Sequence, residues 1–173
     1  EMKKAGTIGN AHAVFVGLKM SALLPRAIEL GVAEHVTLIE ELGHDSNDRE
    51  YRIPSAPLVE IYKSVDACAF PSLIETFAMI NIEAMAAGIP VISTDAPGCI
   101  ETINDGVDGL IAKAGDPIDL ARKMEQLQSS ADLQAKLSAN GTESVRKSFS
   151  WDVVGRQFED LYLSLTERSN EIS

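Results

Sequence analysis

The 173-residue chain contains little cysteine, few basic residues and no long apolar segment. Its two cysteines, Cys68 and Cys99, lie in neither a CxxC nor a Cys/His spacing, which argues against a disulfide framework and against a zinc site. Lysine and arginine number 15 and aspartate and glutamate 26, for a formal net charge of −11. This charge argues against binding to a nucleic-acid backbone or to an anionic membrane surface.

No apolar run approaches the roughly 20 residues of a membrane-spanning helix, and residues 1–10 do not resemble a signal peptide. We therefore expect a cytoplasmic protein. The content of 45% hydrophobic and 24% charged residues is typical of globular proteins. The length fits one domain whose core is large enough to fold without disulfides.

Short apolar or β-branched segments alternate with segments of helical periodicity between residues 13 and 112. The predicted strands are residues 13–17, 35–39, 66–70, 89–93 and 109–112, and the predicted helices between them are residues 20–30, 57–64 and 82–87. This alternation predicts parallel strands joined by helices. We expect an α/β fold with a Rossmann-like, doubly wound parallel sheet, in which at least four strands lie in one sheet.

Two regions depart from this alternation. Residues 40–54 form a polar segment that is long for a connection between a strand and a helix, which is typical of a functional or mobile loop. From residue 117 onward the pattern is purely helical, and the last helix carries an apolar stripe that includes Phe158, Tyr162 and Leu165. Trp151 opens this helix, and we expect it to anchor packing.

Two glutamates, Glu75 and Glu83, flank the junction between the third predicted strand and the following helix. Ligands of open parallel sheets bind beyond the carboxyl ends of the strands, and the amides of residues 77–80 would face an anion there. The spacing leaves two interpretations open. The carboxylates accept hydrogen bonds from hydroxyls at two ends of one ligand, or Glu83 is a solvated helix residue and Glu75 a surface carboxylate.

The sequence around the glutamates resembles a known family. Pro71, Ser72 and Glu75 are followed by IEAMAAGIPVIS (residues 82–93), by GCIE (98–101) and by DGVDGL (105–110). Together these motifs are similar to the nucleotide-sugar-binding, C-terminal domain of retaining GT-B glycosyltransferases of the group 1 type. The resemblance extends from about residue 13 to about residue 165. It implies that residues 1–173 form one donor-binding domain, the C-terminal half of a GT-B fold, without the N-terminal acceptor domain and the first strand.

The resemblance also implies roles for individual residues. Glu75 would be the catalytic carboxylate, which contacts hydroxyls of the transferred sugar and stabilises an oxocarbenium-like transition state. Glu83 would hold the ribose hydroxyls, and the backbone amides of Phe77, Ala78 and Met79 would meet the sugar and the phosphates. The family usually has glycine at one or both of the positions that Thr76 and Ala78 occupy, and both of these residues are small enough to preserve the loop.

Other groups of the family's site have no counterpart in this sequence. The arginine and lysine that hold the diphosphate precede the strand that resembles residues 13–17, and the catalytic-side histidine belongs to the other domain. The resemblance therefore implies a chain that is inactive by itself. The helix at residues 150–168 would pack toward the missing domain and expose apolar area near Phe158, Tyr162 or Leu165, which a second copy of the chain would cover in a dimer.

The implied reaction transfers a hexosyl group from a UDP-, GDP- or ADP-sugar to an acceptor sugar or lipid-linked glycan. The acceptor, and any peripheral contact with a membrane, would be held by the missing domain. No metal and no further cofactor is expected. Two alternatives remain: a nucleotide-binding module without catalysis, and a GT-B epimerase, which the glutamate pair followed by EAMAAGIPVI argues against.

Overall fold

The computed structural model describes the backbone of residues 1–40, 42 and 54–171. This part of the chain contains the strands β1 (Ala13–Val16), β2 (Val36–Ile39), β3 (Cys68–Ala69), β4 (Val91–Thr94) and β5 (Leu110–Ala112). Each strand overlaps a segment that the sequence predicts to be a strand. The predicted loop at residues 40–54 lies outside the described residues, apart from residues 40, 42 and 54.

The strands form parallel sheets. β1 pairs with β2 from Ala13↔Val36 to Val16↔Ile39, and β4 lies between β3 and β5. The parallel pairing and the intervening helices confirm the expected α/β, Rossmann-like fold. The expectation of at least four strands in one sheet is wrong for the described residues, whose strands divide into one sheet of two and one of three.

A doubly wound sheet of order 3-2-1-4-5-6 has its first strand between the second and the fourth. The observed orders β2-β1 and β3-β4-β5 each match a part of that order, 3-2 and 4-5-6, and among the described residues no strand pairs with both β1 and β3. Periodicity identifies strands one at a time, so it does not reveal which edges pair.

The α-helices of the described residues are α1 (Met2–Ala5), α2 (Leu24–Glu29), α3 (Ala56–Ser64), α4 (Met79–Ala86), α5 (Pro117–Gln128), α6 (Ala131–Ser148) and α7 (Trp151–Glu171). Side chains define the starts of two of them. Asp116 accepts hydrogen bonds from the amides of Ile118 and Asp119 at the start of α5, and Ser130 accepts one from the amide of Leu133 at the start of α6.

The core lies around β4, whose four residues are all buried. Successive residues of a strand point to opposite faces, so Val91 and Ile92 belong to different clusters. Val91 packs in a cluster with Tyr62, Ala84 and Met85 of α3 and α4. The cluster around Ile92 adds three leucines, from β5, α5 and α6: Leu110, Leu127 and Leu137. The two clusters therefore place α3 and α4 on one side of the sheet and α5 on the other, and α6 packs against both α4 and α5.

Helix α7 contacts α6 but leaves much of its apolar stripe in solvent. Phe158 is 57% exposed, Tyr162 65% and Leu165 50%, so the exposed apolar area expected at these positions is present. The expectation that Trp151 anchors packing is wrong, because its side chain is 86% exposed. Helical periodicity shows that an apolar stripe exists, but it does not show that the same chain covers it.

Among the described helices, none is both long and apolar enough to cross a membrane.

A first prediction follows from the core. Leu137 on α6 is fully buried in the cluster around Ile92, and Leu163 on α7 is 55% exposed. We expect Leu137→Ala to lower the free energy of unfolding by about 2–5 kcal/mol, since it removes a buried side chain and leaves a cavity. The matched Leu163→Ala should lower it by less than about 1 kcal/mol. Urea denaturation of both variants measures the difference, and equal losses would contradict this assignment of the core.

Candidate functional site

Two loops meet at the carboxyl-end edge of the larger sheet. One follows β3 and leads through Glu75 to α4, and the other follows β4. The hydroxyl of Thr94, the last residue of β4, donates a hydrogen bond of 2.6 Å to the carbonyl oxygen of Ser72. The amide of Glu75 donates one of 3.2 Å to the carbonyl oxygen of Pro97. The structure therefore places Glu75 beyond the carboxyl end of β3, where doubly wound sheets bind their ligands.

Gly98 brings the two loops into direct contact. It has φ +79, and a Cβ built on it would lie 2.7 Å from the carbonyl carbon of Glu75 and 2.8 Å from that of Thr76. Because real Cβ atoms do not approach backbone so closely, any other residue here would displace one of the loops. Gly98 therefore helps to fix the backbone of Glu75.

The Glu75 side chain is partly buried and held by its own loop. The hydroxyl of Ser72 donates a hydrogen bond of 3.0 Å to Glu75 Oε1. Within the described residues, Glu75 Oε2 has no hydrogen-bonding partner, and no basic side chain forms an ion pair with this carboxylate. One carboxylate oxygen thus keeps its capacity to accept hydrogen bonds from a ligand.

Ala78 immediately precedes α4 and has left-handed backbone angles, φ 40 and ψ 51. This region disfavours residues with a Cβ, and a glycine would adopt it without strain. The Ala78 methyl group is buried in a cluster with Ala96 and Cys99, so its packing offsets part of the strain. Ala78 thus holds, immediately before α4, a backbone conformation that is usually taken by glycine.

A row of free amides lies at the start of α4. The N–H groups of residues 77–80 have no acceptor within the described part of the chain, whereas the amide of Asn81 donates to the carbonyl oxygen of Ala78 at 2.9 Å. Unpaired amides at a helix N-terminus, together with the positive end of the helix dipole, favour an anion. Phe77, Ala78 and Met79, all predicted site residues, each contribute one of these amides.

The aromatic ring of Phe77 has a structural partner. It packs edge-to-face against Phe149, at the end of α6, with ring centroids 6.0 Å apart and an interplanar angle of 71°. Met79 is 53% exposed. The side chains of Phe77 and Met79 thus lie in different environments. Both residues contribute to the candidate site through their backbone amides.

Glu83 lies one turn further along α4 and is partly buried. The phenol of Tyr62, on α3, donates a hydrogen bond of 3.2 Å to Glu83 Oε2. Sequence reasoning did not single out Tyr62, because helical periodicity describes one segment and cannot pair its hydroxyl with a residue 21 positions away.

Asn81 is a second residue that the sequence did not single out. Its fully buried side-chain amide donates to Ser93 Oγ at 3.1 Å and to Thr102 Oγ1 at 3.0 Å. These bonds tie α4 to β4 and to the loop that follows it. Glu83 therefore belongs to, and the free amides lie at the start of, a helix that is fixed to the sheet by polar as well as apolar contacts.

The cysteines are structural. Burial raises the pKa of the Cys68 thiol to about 11, so it remains protonated at neutral pH. Cys99 follows Gly98 but is only 1% exposed. The described residues contain no group of three or more histidine, cysteine, aspartate or glutamate side chains that could hold a metal ion.

Comparisons with known proteins agree on one family. The pattern described as "Glycosyl transferases group 1" matches residues 2–144. A D-inositol 3-phosphate glycosyltransferase of Corynebacterium kroppenstedtii is 33% identical over 131 residues, which cover 75% of this chain and 29% of that enzyme. The matched part of the chain therefore spans less than a third of the length of this relative.

Solved glycosyltransferases share the fold. Sucrose-phosphate synthase from Thermosynechococcus elongatus superposes with a TM-score of 0.77 at 23% identity, over 96% of this chain and 41% of the synthase. Anabaena HepE, solved in complex with UDP, superposes with a TM-score of 0.75 at 22% identity, over 89% of this chain and 41% of HepE. The Rossmann-like architecture is thus that of GT-B glycosyltransferases.

A second prediction concerns the contact between the loops. Gly98→Ala introduces a methyl group against the Glu75 backbone, and Gly106→Ala introduces one at a similar φ of +72 with no atom within 4 Å. Both changes should cost about 1–2 kcal/mol of backbone strain. Gly98→Ala should cost about 1–3 kcal/mol more because of the collision.

Chemical denaturation measures both losses, and amide NMR shifts report where the backbone moves. We expect Gly98→Ala, and not Gly106→Ala, to shift the amide resonances of Glu75 and Thr76. Equal stability losses and unshifted resonances would show that the loops accommodate the methyl group without moving.

Proposed function

The chain belongs to the glycosyl transferases group 1 family, and on this premise we propose that it is the C-terminal, donor-binding domain of a retaining hexosyltransferase. One observation carries the proposal. Four consecutive amides without acceptors in the described structure lie between two carboxylates, each of which has a neutral hydrogen-bond donor on one oxygen. This arrangement suits a ligand with an anionic centre and hydroxyl groups at both ends, which describes a nucleoside diphosphate sugar.

The amides of residues 77–80 would bind the diphosphate. Backbone N–H groups and a helix dipole supply positive potential at one place, so the site can attract phosphate although the chain as a whole carries a formal charge of −11. Glu83 would accept hydrogen bonds from the ribose hydroxyls. Glu75 would accept them from the sugar, on the other side of the phosphates.

The proposed reaction exchanges one bond at the anomeric carbon of the hexose. The bond from this carbon to the diphosphate oxygen breaks, and an acceptor hydroxyl attacks from the same face, so the configuration is retained. The acceptor proton passes to the departing phosphate oxygen. Positive charge develops on the sugar ring in the transition state, and the negative charge of Glu75 beside the ring would stabilise it.

The candidate donors can be ranked by the nucleotides that a protein of the same fold binds. HepE, with which this chain shares its fold, has been solved with UDP and with UDP-glucose. UDP-sugars are therefore the first candidates, with GDP- and ADP-sugars as the others. The acceptor, a sugar or a lipid-linked glycan, would be held by a further domain of the enzyme. The exposed stripe of α7, within residues 150–168, would pack toward that domain.

A third prediction separates the two glutamates. Glu83→Gln should weaken the binding of a nucleoside diphosphate and of its sugar derivative alike, because both contain the ribose. Glu75→Gln should weaken only the sugar derivative. Each lost charge-assisted hydrogen bond should reduce affinity about tenfold. Titration calorimetry with UDP and UDP-glucose, repeated with GDP and ADP pairs, measures these changes, and thermal shifts provide an independent ranking.

Glu60→Gln is the matched control, since Glu60 is exposed on α3 and pairs with Lys63 outside the site. It should leave every affinity unchanged. Equal losses for both ligands in both site variants would show that the two glutamates act as one structural unit. Unchanged binding in both variants would remove the carboxylates from the site and favour a nucleotide-binding module without this chemistry.

A further inference from the structure

Tyr62 lies beneath the candidate site rather than at its surface. Its side chain is 3% exposed and packs in the same core cluster as Ala84 and Met85, the two residues that follow Glu83 on α4. The ring is therefore fixed by close packing against the helix that carries the carboxylate. Its hydroxyl reaches past this core to Glu83 Oε2, at 3.2 Å.

This contact occupies one oxygen of a carboxylate that has two. Glu83 Oε1 has no hydrogen-bonding partner within the described residues. A glutamate side chain on a helix samples several rotamers when nothing holds it, and binding a ligand then costs the entropy of ordering it. A donor anchored in the core orders the side chain in advance and leaves the second oxygen free for a ligand hydroxyl.

The phenol donates this hydrogen bond throughout the physiological pH range. Burial, and then the nearby charge of Glu83, raise the pKa of Tyr62 above the usual value for tyrosine. The hydroxyl therefore remains protonated, and the carboxylate is the acceptor.

We infer that Tyr62 is a positioning residue that fixes the Glu83 carboxylate for the ribose hydroxyls and so sets the preference of the site for ribose over deoxyribose. The inference rests on the proposed function, in which Glu83 binds the ribose. Tyr62 does not touch the ligand. Its contribution is the orientation of one carboxylate oxygen, so its loss should appear in the binding of hydroxyl-bearing ligands and not in nucleotide binding as a whole.

The test compares the tightest-binding of UDP, GDP and ADP with its 2′-deoxy and 3′-deoxy analogues, by titration calorimetry on the 173-residue chain. For the wild type we expect at least one deoxy analogue to bind about tenfold more weakly than the ribonucleotide. Tyr62→Phe should reduce this preference about three- to tenfold, by weakening the ribonucleotide and leaving the deoxy analogue unchanged. Glu83→Gln should abolish the preference, and Tyr62→Phe should have no further effect in the Glu83→Gln background.

Tyr162→Phe is the matched control, because it removes the same hydroxyl from an exposed position on α7. It should leave the preference unchanged. Phenylalanine keeps the buried ring, and circular dichroism with urea denaturation checks that the variant is folded. If Tyr62→Phe is not folded, Tyr62→Met is a second variant without the hydroxyl, because the flexible methionine side chain can fill the space that the ring leaves.

The outcomes distinguish this inference from the proposed function. If none of the three nucleoside diphosphates binds, the proposed function fails and the inference fails with it. If Glu83→Gln abolishes the ribose preference and Tyr62→Phe does not reduce it, the role of Tyr62 is wrong and the proposed function stands. If Tyr62→Phe weakens ribonucleotide and deoxy analogues equally, Tyr62 supports the fold alone, and the inference is overturned.

Discussion

The contact between the Gly98 backbone and the Glu75–Thr76 backbone is the constraint on which the site depends. A Cβ at Gly98 would lie within 2.8 Å of backbone atoms of Glu75 and Thr76. The loops after β3 and β4 can therefore approach this closely only because residue 98 is a glycine. Hydrogen bonds from Thr94 to Ser72 and from Glu75 to Pro97 join the same two loops. The backbone before α4 is thereby held in place, and the direction in which α4 begins is held with it.

Helix α4 carries most of the groups of the proposed binding surface. Its first turn presents amides without acceptors in the described structure, Asn81 ties it to β4, and Ala84 and Met85 bury it in the core. Glu83 occupies the boundary between the buried and exposed faces of the helix, where Tyr62 can reach it from below. Packing contacts, polar contacts and the groups of the candidate site thus lie close together on one short helix, which limits how far any of them can move independently.

Much of the fold could be predicted from the sequence, because strands and helices have different hydrophobic periodicities and the segments of this chain follow them. The strands, helix α4 and the position of Glu75 at the carboxyl-end edge of the larger sheet agree with the prediction. The division into two sheets and the exposure of Trp151 do not. Both depend on which surfaces meet, and a residue pattern within one element contains no information about its neighbours.

For the candidate site, the sequence by itself determined which groups are present: two carboxylates, Glu75 and Glu83, separated by seven residues, in motifs that resemble one enzyme family. The left-handed conformation of Ala78 and the buried amide of Asn81 show what it could not determine. Only the tertiary structure paired Tyr62 with Glu83 and Gly98 with Glu75, because each pair joins segments more than twenty residues apart. Such contacts arise from the close packing of parallel strands and helices around a shared core, which no local pattern of residues specifies.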